Sequence, residues 1–324
     1  MSISAGRRGF LAASGAALAM PRIARSQGSF PDRPITLIVP APPGGSSDVT
    51  ARVLAAVASR RLPHPVVVEN RPGASQTLGP LAVARARPDG YVLSQLHASS
   101  IRQILLAKLP LDIPTDFTPI LQVTAFNTGL IARTGRFPGG WKDFVAEARR
   151  RPGEVSYGST GTNAGPHIGM VLLAERERIE LNHIPFRGDA DGVSALLGGH
   201  VDAMAGSTGI GTAVDAGQAT WLNLWSPGRL PRWPDTPTLN ELGYIGVVVD
   251  LALGIVGPAG LPPDVAARLE EVLGEAARDP EHQAILARYD MTLNLRDRRA
   301  YVEFLRETVG TERALIERLH LRAA

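Results

Sequence analysis

Ile35-Thr-Leu-Ile-Val-Pro-Ala-Pro-Pro-Gly-Gly-Ser-Ser-Asp48 runs from a β-branched stretch through a proline- and glycine-rich turn into the start of a helical pattern. That order predicts a βα unit, with the turn at the C-terminal end of a strand, where open α/β sheets bind their ligands. Gly44 and Gly45 allow a backbone to approach a ligand closely. Ser46, Ser47 or Asp48 caps the helix, which leaves free N–H groups aimed outward from the strand end. Taken alone, a Gly-Gly turn before a helix also serves simply as a turn.

Further along the chain the same alternation continues. Strands are expected over Ile35 to Val39, Pro65 to Glu69, Tyr91 to Leu96, Gly129 to Arg133, Val155 to Gly158, Val201 to Ala205, Trp221 to Trp225 and Val247 to Val256. Helices are expected over Asp48 to Arg61, Thr77 to Arg87, Trp141 to Arg150, Gly165 to Glu177 and Asp191 to Leu197. The pattern is that of an α/β protein with mostly parallel sheets. The chain then closes with helices only: Pro263 to Ala277, Pro280 to Tyr289 and Arg298 to Leu319. With 324 residues, the chain is too long for one typical core and suits two lobes. The expected division is 30 to 124 plus 250 to 324 for one lobe and 125 to 249 for the other.

Tyr157-Gly-Ser-Thr-Gly-Thr-Asn-Ala-Gly-Pro-His167 repeats the arrangement in the second lobe. Ser159, Thr160, Thr162 and Asn163 supply hydroxyl and amide groups, and the helix that follows adds its positive end. Two such loops clasp an anion without a buried arginine, because backbone donors and helix ends stabilise the charge. A small carboxylate suits such a cleft.

The first 26 residues read as an export signal, with Arg7 and Arg8 before an apolar run from Phe10 to Met20 and small residues Ala24 and Ser26 near a cleavage point. The twin arginines resemble the signal of the twin-arginine pathway, and the apolar run also suits general secretion. Its removal takes away four arginines and no acid, so the formal charge falls from +3 to −1 and a nucleic-acid partner loses its electrostatic basis. No later apolar stretch approaches the ~20 residues of a membrane span. With no cysteine, disulfides, thiol nucleophiles and thiolate metal sites are excluded. The seven histidines show no paired ligand spacing, and no cofactor or metal is expected.

Several short stretches, in their order and spacing, resemble the substrate-binding receptors of tripartite tricarboxylate transporters, also called Bug-type receptors. They include Phe30-Pro-Asp-Arg-Pro-Ile35, Pro43-Gly-Gly-Ser-Ser-Asp48, Val67-Val-Glu-Asn-Arg-Pro-Gly73, Pro88-Asp-Gly-Tyr91, Asp116-Phe-Thr-Pro-Ile120, His183-Ile-Pro-Phe-Arg-Gly188, Leu196-Leu-Gly-Gly-His-Val-Asp202, Pro234-Asp-Thr-Pro-Thr238 and Gly257-Pro-Ala-Gly260. The resemblance implies a periplasmic Venus flytrap that closes on organic acids, with ligand contacts at Pro43, Gly44, Gly45 and Asp48 in one lobe and Ser159, Gly161 and His167 in the other. It also implies membrane subunits of a secondary transporter as partners. The receptor itself is expected to be a monomer.

Departures from the family pattern bear on specificity. Ala41 stands where an aromatic residue is common and would enlarge the pocket. Asp189 and Asp191 replace small residues after Arg187-Gly188. As ordinary helix caps they say nothing of the ligand; facing the cleft, they disfavour a polyanion and favour a ligand that also carries an amine. Arg187 either pairs with one of these acids or reaches the ligand, His167 either donates to the ligand or braces its loop, and His97, after a strand, either reaches the cleft or is an ordinary loop residue. Asp202 is expected to fix a loop. The candidate ligand-facing residues are therefore Ala41, Pro43, Gly44, Gly45, Ser46, Asp48 and His97 on one side, and Ser159, Thr160, Gly161, Thr162, Asn163, His167, Arg187, Gly188 and Ser207 on the other.

Two rivals use the same residues differently. Ala205-Gly-Ser-Thr-Gly209 loosely resembles a nucleophile elbow, with Ser207 as nucleophile, His167 as base and Asp202 as acid, but Ala205 replaces the first glycine and the chain order is reversed. A binding lobe presenting its ligand to a membrane sensor would have the same sequence features. The sequence as a whole is expected to encode a non-catalytic receptor.

Overall fold

The computed structural model describes residues 30–245 and 251–322; the expected export signal and the start of the strand expected from Val247 lie outside the described residues. In chain order come β1 (Ile35–Val39), α1 (Ser46–Ser59), β2 (Val66–Asn70), α2 (Leu78–Ala84), β3 (Val92–His97), α3 (Ala98–Leu106) and β4 (Phe117–Phe126). Next are β5 (Thr128–Arg133), α4 (Trp141–Arg150), β6 (Ser156–Ser159), α5 (Gly165–Glu177), β7 (Asn182–Pro185), α6 (Asp189–Leu197), β8 (Ala203–Ser207), α7 (Thr212–Asp215) and β9 (Ala219–Leu224). The chain ends with β10 (Leu251–Pro258), α8 (Pro263–Arg278), α9 (Pro280–Arg288), β11 (Thr292–Arg296) and α10 (Arg298–Arg318).

Local chemistry accounts for these elements. Ile35, Leu37, Ile38 and Val39 are buried on both faces of β1, as a central strand covered by helices requires. Along α4, Trp141, Phe144, Val145 and Ala148 form the buried stripe of a 3.6-residue period. Pro263 and Asp264 open α8 in the positions that favour a helix start. Asp279 and Asp297 cap α9 and α10 by accepting from Glu281 N and Ala300 N.

Two sheets result, one ordered β11-β4-β10-β3-β1-β2 and the other β7-β6-β8-β5-β9. Both are mixed, yet β1 to β4 all run one way in the first, and β6 to β9 all run one way in the second. The strands β10 and β5 are reversed, and each immediately follows a crossing from the other sheet: β4 leads into β5, and β9 leads towards β10. The lobes thus share one plan, β2-β1-β3-β10-β4 in lobe 1 and β7-β6-β8-β5-β9 in lobe 2. Each lobe has apolar layers on both sheet faces. In lobe 1 these hold Leu37, Leu54 and Val272 on one side and Ile38, Leu96 and Tyr301 on the other. In lobe 2 they hold Leu130, Phe144 and Leu173 against Ile131, Met204 and Trp221.

The structure adds elements that periodicity did not reveal. β4 carries Pro119, which lacks a donor for the ladder; Pro119 pairs with Val256 at a register shift, the kind of irregularity that admits proline inside a sheet. β4 also continues to Phe126, past the expected crossing after residue 124. β7 is a short edge strand ending in Pro185. The C-terminal part is not helices only, because β11 lies between α9 and α10 and pairs with β4. His97, expected just after a strand, is instead the last residue of β3, and α3 begins at Ala98.

Candidate functional site

In parallel strands, the connections leaving the C-terminal ends collect on one edge of the sheet. For lobe 1 that edge carries the turn from Pro40 to Gly45 after β1 and His97 at the end of β3. Gly44 has φ +85° with open space where a side chain would project. Gly45, not a serine or Asp48, is the N-cap of α1, and no side chain caps it there. Asp48 reaches back instead: its Oδ2 accepts from Gly44 N at 2.8 Å, and its Oδ1 accepts from Asn70 Nδ2 at 2.8 Å. Arg52 Nε also donates to it at 3.1 Å. Burial opposes ionisation of Asp48, but the bonds from Arg52, Gly44 and Asn70 outweigh it and hold the pKa below the ordinary carboxylate value. Asp48 therefore fixes the glycine turn. The helix ladder begins with Val49 N donating to Gly45 O, so the N–H groups of Ser46 and Ser47 have no intrahelical acceptor. Pro43 and Gly44 are exposed, and Ala41 is buried below them.

His97 is buried and stacks on Phe126 with ring centroids 6.0 Å apart, while its Nε2 has no partner. Burial lowers its pKa to about 4, so the imidazole is neutral at pH 7. Nearby in the chain, Gln95 donates from Nε2 to Ser47 O at 3.3 Å, and its Oε1 has no partner.

Lobe 2 offers the corresponding edge. Gly161 has φ +132° and open space in front of it. Ser159 at the end of β6 is wholly buried; its Oγ donates to Gly161 O at 3.1 Å and lies 2.7 Å from His183 Nε2. Thr160 is half-buried and Thr162 exposed. His167 accepts from Asn163 N through Nδ1 at 3.0 Å and stacks on His183 at 4.0 Å. Burial, then the neighbouring His183 and Arg102, lowers the His167 pKa to about 4. The ring braces its loop as a neutral acceptor. Gly188 is the N-cap of α6 in extended backbone, and Arg187 is exposed and makes no ion pair among the described residues. Asp191 is exposed in the first turn of α6.

Asn163 joins the lobes. Its carbonyl accepts from Arg102 Nη1 at 2.9 Å, and its Nδ2 donates to Arg322 O at 2.8 Å. Arg102 is 1% exposed and forms two 2.6 Å bonds with Glu312 on α10. A second set of bridges lies by the crossing strands. Asn127 Nδ2 donates to Asp290 O at 2.7 Å, Thr208 Oγ1 donates to Tyr289 O at 3.1 Å, and Arg232 pairs with Asp290 at 2.6 Å. Sequence reasoning missed Arg102 and Glu312. The only local signal was one arginine among Ile101, Ile104 and Leu105, and its partner lies 210 positions away.

The hydrolase arrangement is not formed. Ser207 Oγ donates to Asp189 Oδ2 at 2.5 Å and accepts from Gly209 N at 3.3 Å, while His167 is engaged with Asn163. Asp202 precedes β8, at the strand end opposite Ser207, where it accepts from Ser156 and Arg136. Among the described residues no group of three or more histidines and carboxylates is gathered to hold a metal. Nor is any helix there long and apolar enough to cross a membrane. Surface hollows of 560 and 440 Å³ lie on the outer flanks of lobe 1, bordered by α8 and α10, and are not lined by either glycine turn.

Two similarly built α/β lobes, crossed twice by the chain and meeting along their strand-end edges, define a two-lobed solute-binding protein. Residues 50–321 match the model of the tripartite tricarboxylate transporter family receptor, and the chain belongs to that family. It is 35% identical to a protein encoded in the gbd 5′ region of Cupriavidus necator, over 98% of this chain and 99% of that one. The solved periplasmic binding protein BugD is similar at TM-score 0.78 and 30% identity, over 90% of this chain and 99% of that one. MatC from Rhodopseudomonas palustris, solved with bound malate, is similar at TM-score 0.76 and 26% identity, over 89% of this chain and 100% of that one. The chain is accordingly a solute-binding receptor and not an enzyme.

Proposed function

We propose that this receptor captures a small organic carboxylate between its two glycine turns, outside the cytoplasmic membrane, and hands it unaltered to the membrane subunits of a tripartite tricarboxylate-type transporter. One observation carries the reading. Each lobe presents an open, positive-φ glycine, Gly44 or Gly161, beside N–H groups that have no acceptor among the described residues: Gly45, Ser46 and Ser47 in lobe 1, Gly161 and Thr162 in lobe 2. Those of lobe 1 lie at the start of α1 and those of lobe 2 in the turn just before α5, and such main-chain donors hold an anion without the desolvation cost of a buried cation. Arg52 and Arg102 are already committed to Asp48 and Glu312. An acid bridging both turns favours the conformation in which the lobes meet, and that conformation is the form a transporter would recognise. The malate held by MatC and the predicted export signal support the ligand class and the location.

A thermal-shift screen of dicarboxylates, amino acids and aromatic acids identifies the ligand, because a compound that binds only the folded form raises the melting point. In the Gly44→Val, Gly161→Val double variant, calorimetry is expected to show at least about 100-fold weaker binding of that acid with the fold retained. Unchanged affinity in the double variant would refute the site.

A further inference from the structure

Asp189 is the first residue of α6, and its carboxylate lies over the C-terminal end of β8. Gly206 has no side chain, and a Cβ there would collide with Oδ1. Oδ2 accepts from Ser207 Oγ, whereas Oδ1 is buried with no partner. A buried carboxylate oxygen without a donor is costly, and this one is held in place by a glycine cradle and a serine. Burial raises the pKa of Asp189 and outweighs the opposing contacts from the Ser207 hydroxyl and backbone N–H.

This group borders the junction between the lobes. Ser207 ends β8 on the same edge at which Ser159 ends β6, since the two strands run parallel. The next residue, Thr208, bonds to Tyr289 O of lobe 1. In lobe 1, at the end of β3, the buried His97 Nε2 is also unpartnered. By contrast Asp48, the buried aspartate behind the first-lobe glycine turn, has its donors within the protein.

We infer that Asp189 is a specificity-determining residue that accepts an N–H donor from the ligand, so that the preferred guest is a carboxylate that also carries an amine, such as an amino acid. The inference rests on the carboxylate reading of the two glycine turns and deepens it. The turns take the acid end of the guest, and Asp189 Oδ1 takes the ammonium, whose charge stabilises the ionised carboxylate against its burial.

Calorimetry on the full mature chain tests this with acids matched in carbon skeleton: butyrate against 2-aminobutyrate and 4-aminobutyrate, and succinate against aspartate. At least one amine-bearing acid is expected to bind about tenfold or more tighter than its amine-free counterpart. In Asp189→Asn, which keeps an acceptor for Ser207, that preference is expected to fall by about tenfold while the amine-free acids bind within about threefold of the parent. Acids that bind without regard to the amine, or an Asp189→Asn variant that weakens both members of a pair alike, would overturn the inference and leave the glycine-turn site standing. Binding of none of these acids would also overturn the inference, while the wider screen and the double glycine variant decide the glycine-turn site separately; a melting curve for each variant separates lost specificity from lost folding.

Discussion

The two glycine turns solve one problem in different ways. In lobe 1 the turn is self-contained, because Asp48, Arg52 and Asn70 lie within 23 positions of one another and saturate the buried carboxylate. In lobe 2 the turn is finished by the other lobe: Asn163 receives Arg102 from α3 and gives its amide to Arg322 near the C-terminus. A turn braced from its own lobe keeps its shape whether the lobes meet or part. One braced across the junction is completed only when they meet, which links the geometry of the second turn to closure.

The largest expected effect comes from removing the cross-lobe brace. Arg102→Ala leaves Glu312 buried without its cation and is expected to cost about 3–5 kcal/mol of stability, read by chemical denaturation. It is also expected to disorder the 161–163 turn while the 43–45 turn keeps its amide protection. If both turns loosen equally, the contrast between them is wrong. Asp48→Ala is the reciprocal change, expected to cost about 2–3 kcal/mol because it strands the donors Gly44 N and Asn70 Nδ2. The sign with pH follows from the lowered pKa. The contribution of the ionised Asp48 is complete above its ordinary value of 3.8 and is lost as pH falls through the depressed folded value. Denaturation midpoints between pH 5 and 3, in parent and variant, are therefore expected to converge as pH falls.

Much of this architecture is readable from short-range pattern. The turn from Pro40 to Gly45 announces itself, since strand, glycines and helix start are contiguous, and the second turn repeats the cue. The hidden elements have identifiable causes. Pro119 disguises β4 because a ladder normally excludes proline, and only the bulge opposite Val256 accommodates it. β11 is a partly exposed edge strand, and α3 follows β3 with no turn residue between them, so neither carries the usual boundary signals. The roles within the junction depend on distant partners: Arg102 on Glu312, and Asp189 on Gly206 and Ser207. From sequence Asp189 fits both a helix cap and a cleft residue, and its orphaned oxygen emerges only once β8 is packed beside α6.

The central claim is that main-chain amides from both lobes grip the same anion. Residue-resolved hydrogen exchange, with and without the tightest acid from the screen, tests it directly. The amides of Gly45 to Ser47 and of Gly161 and Thr162 are expected to gain protection together at one ligand concentration. Protection of one set alone, or of neither at saturating acid, contradicts it.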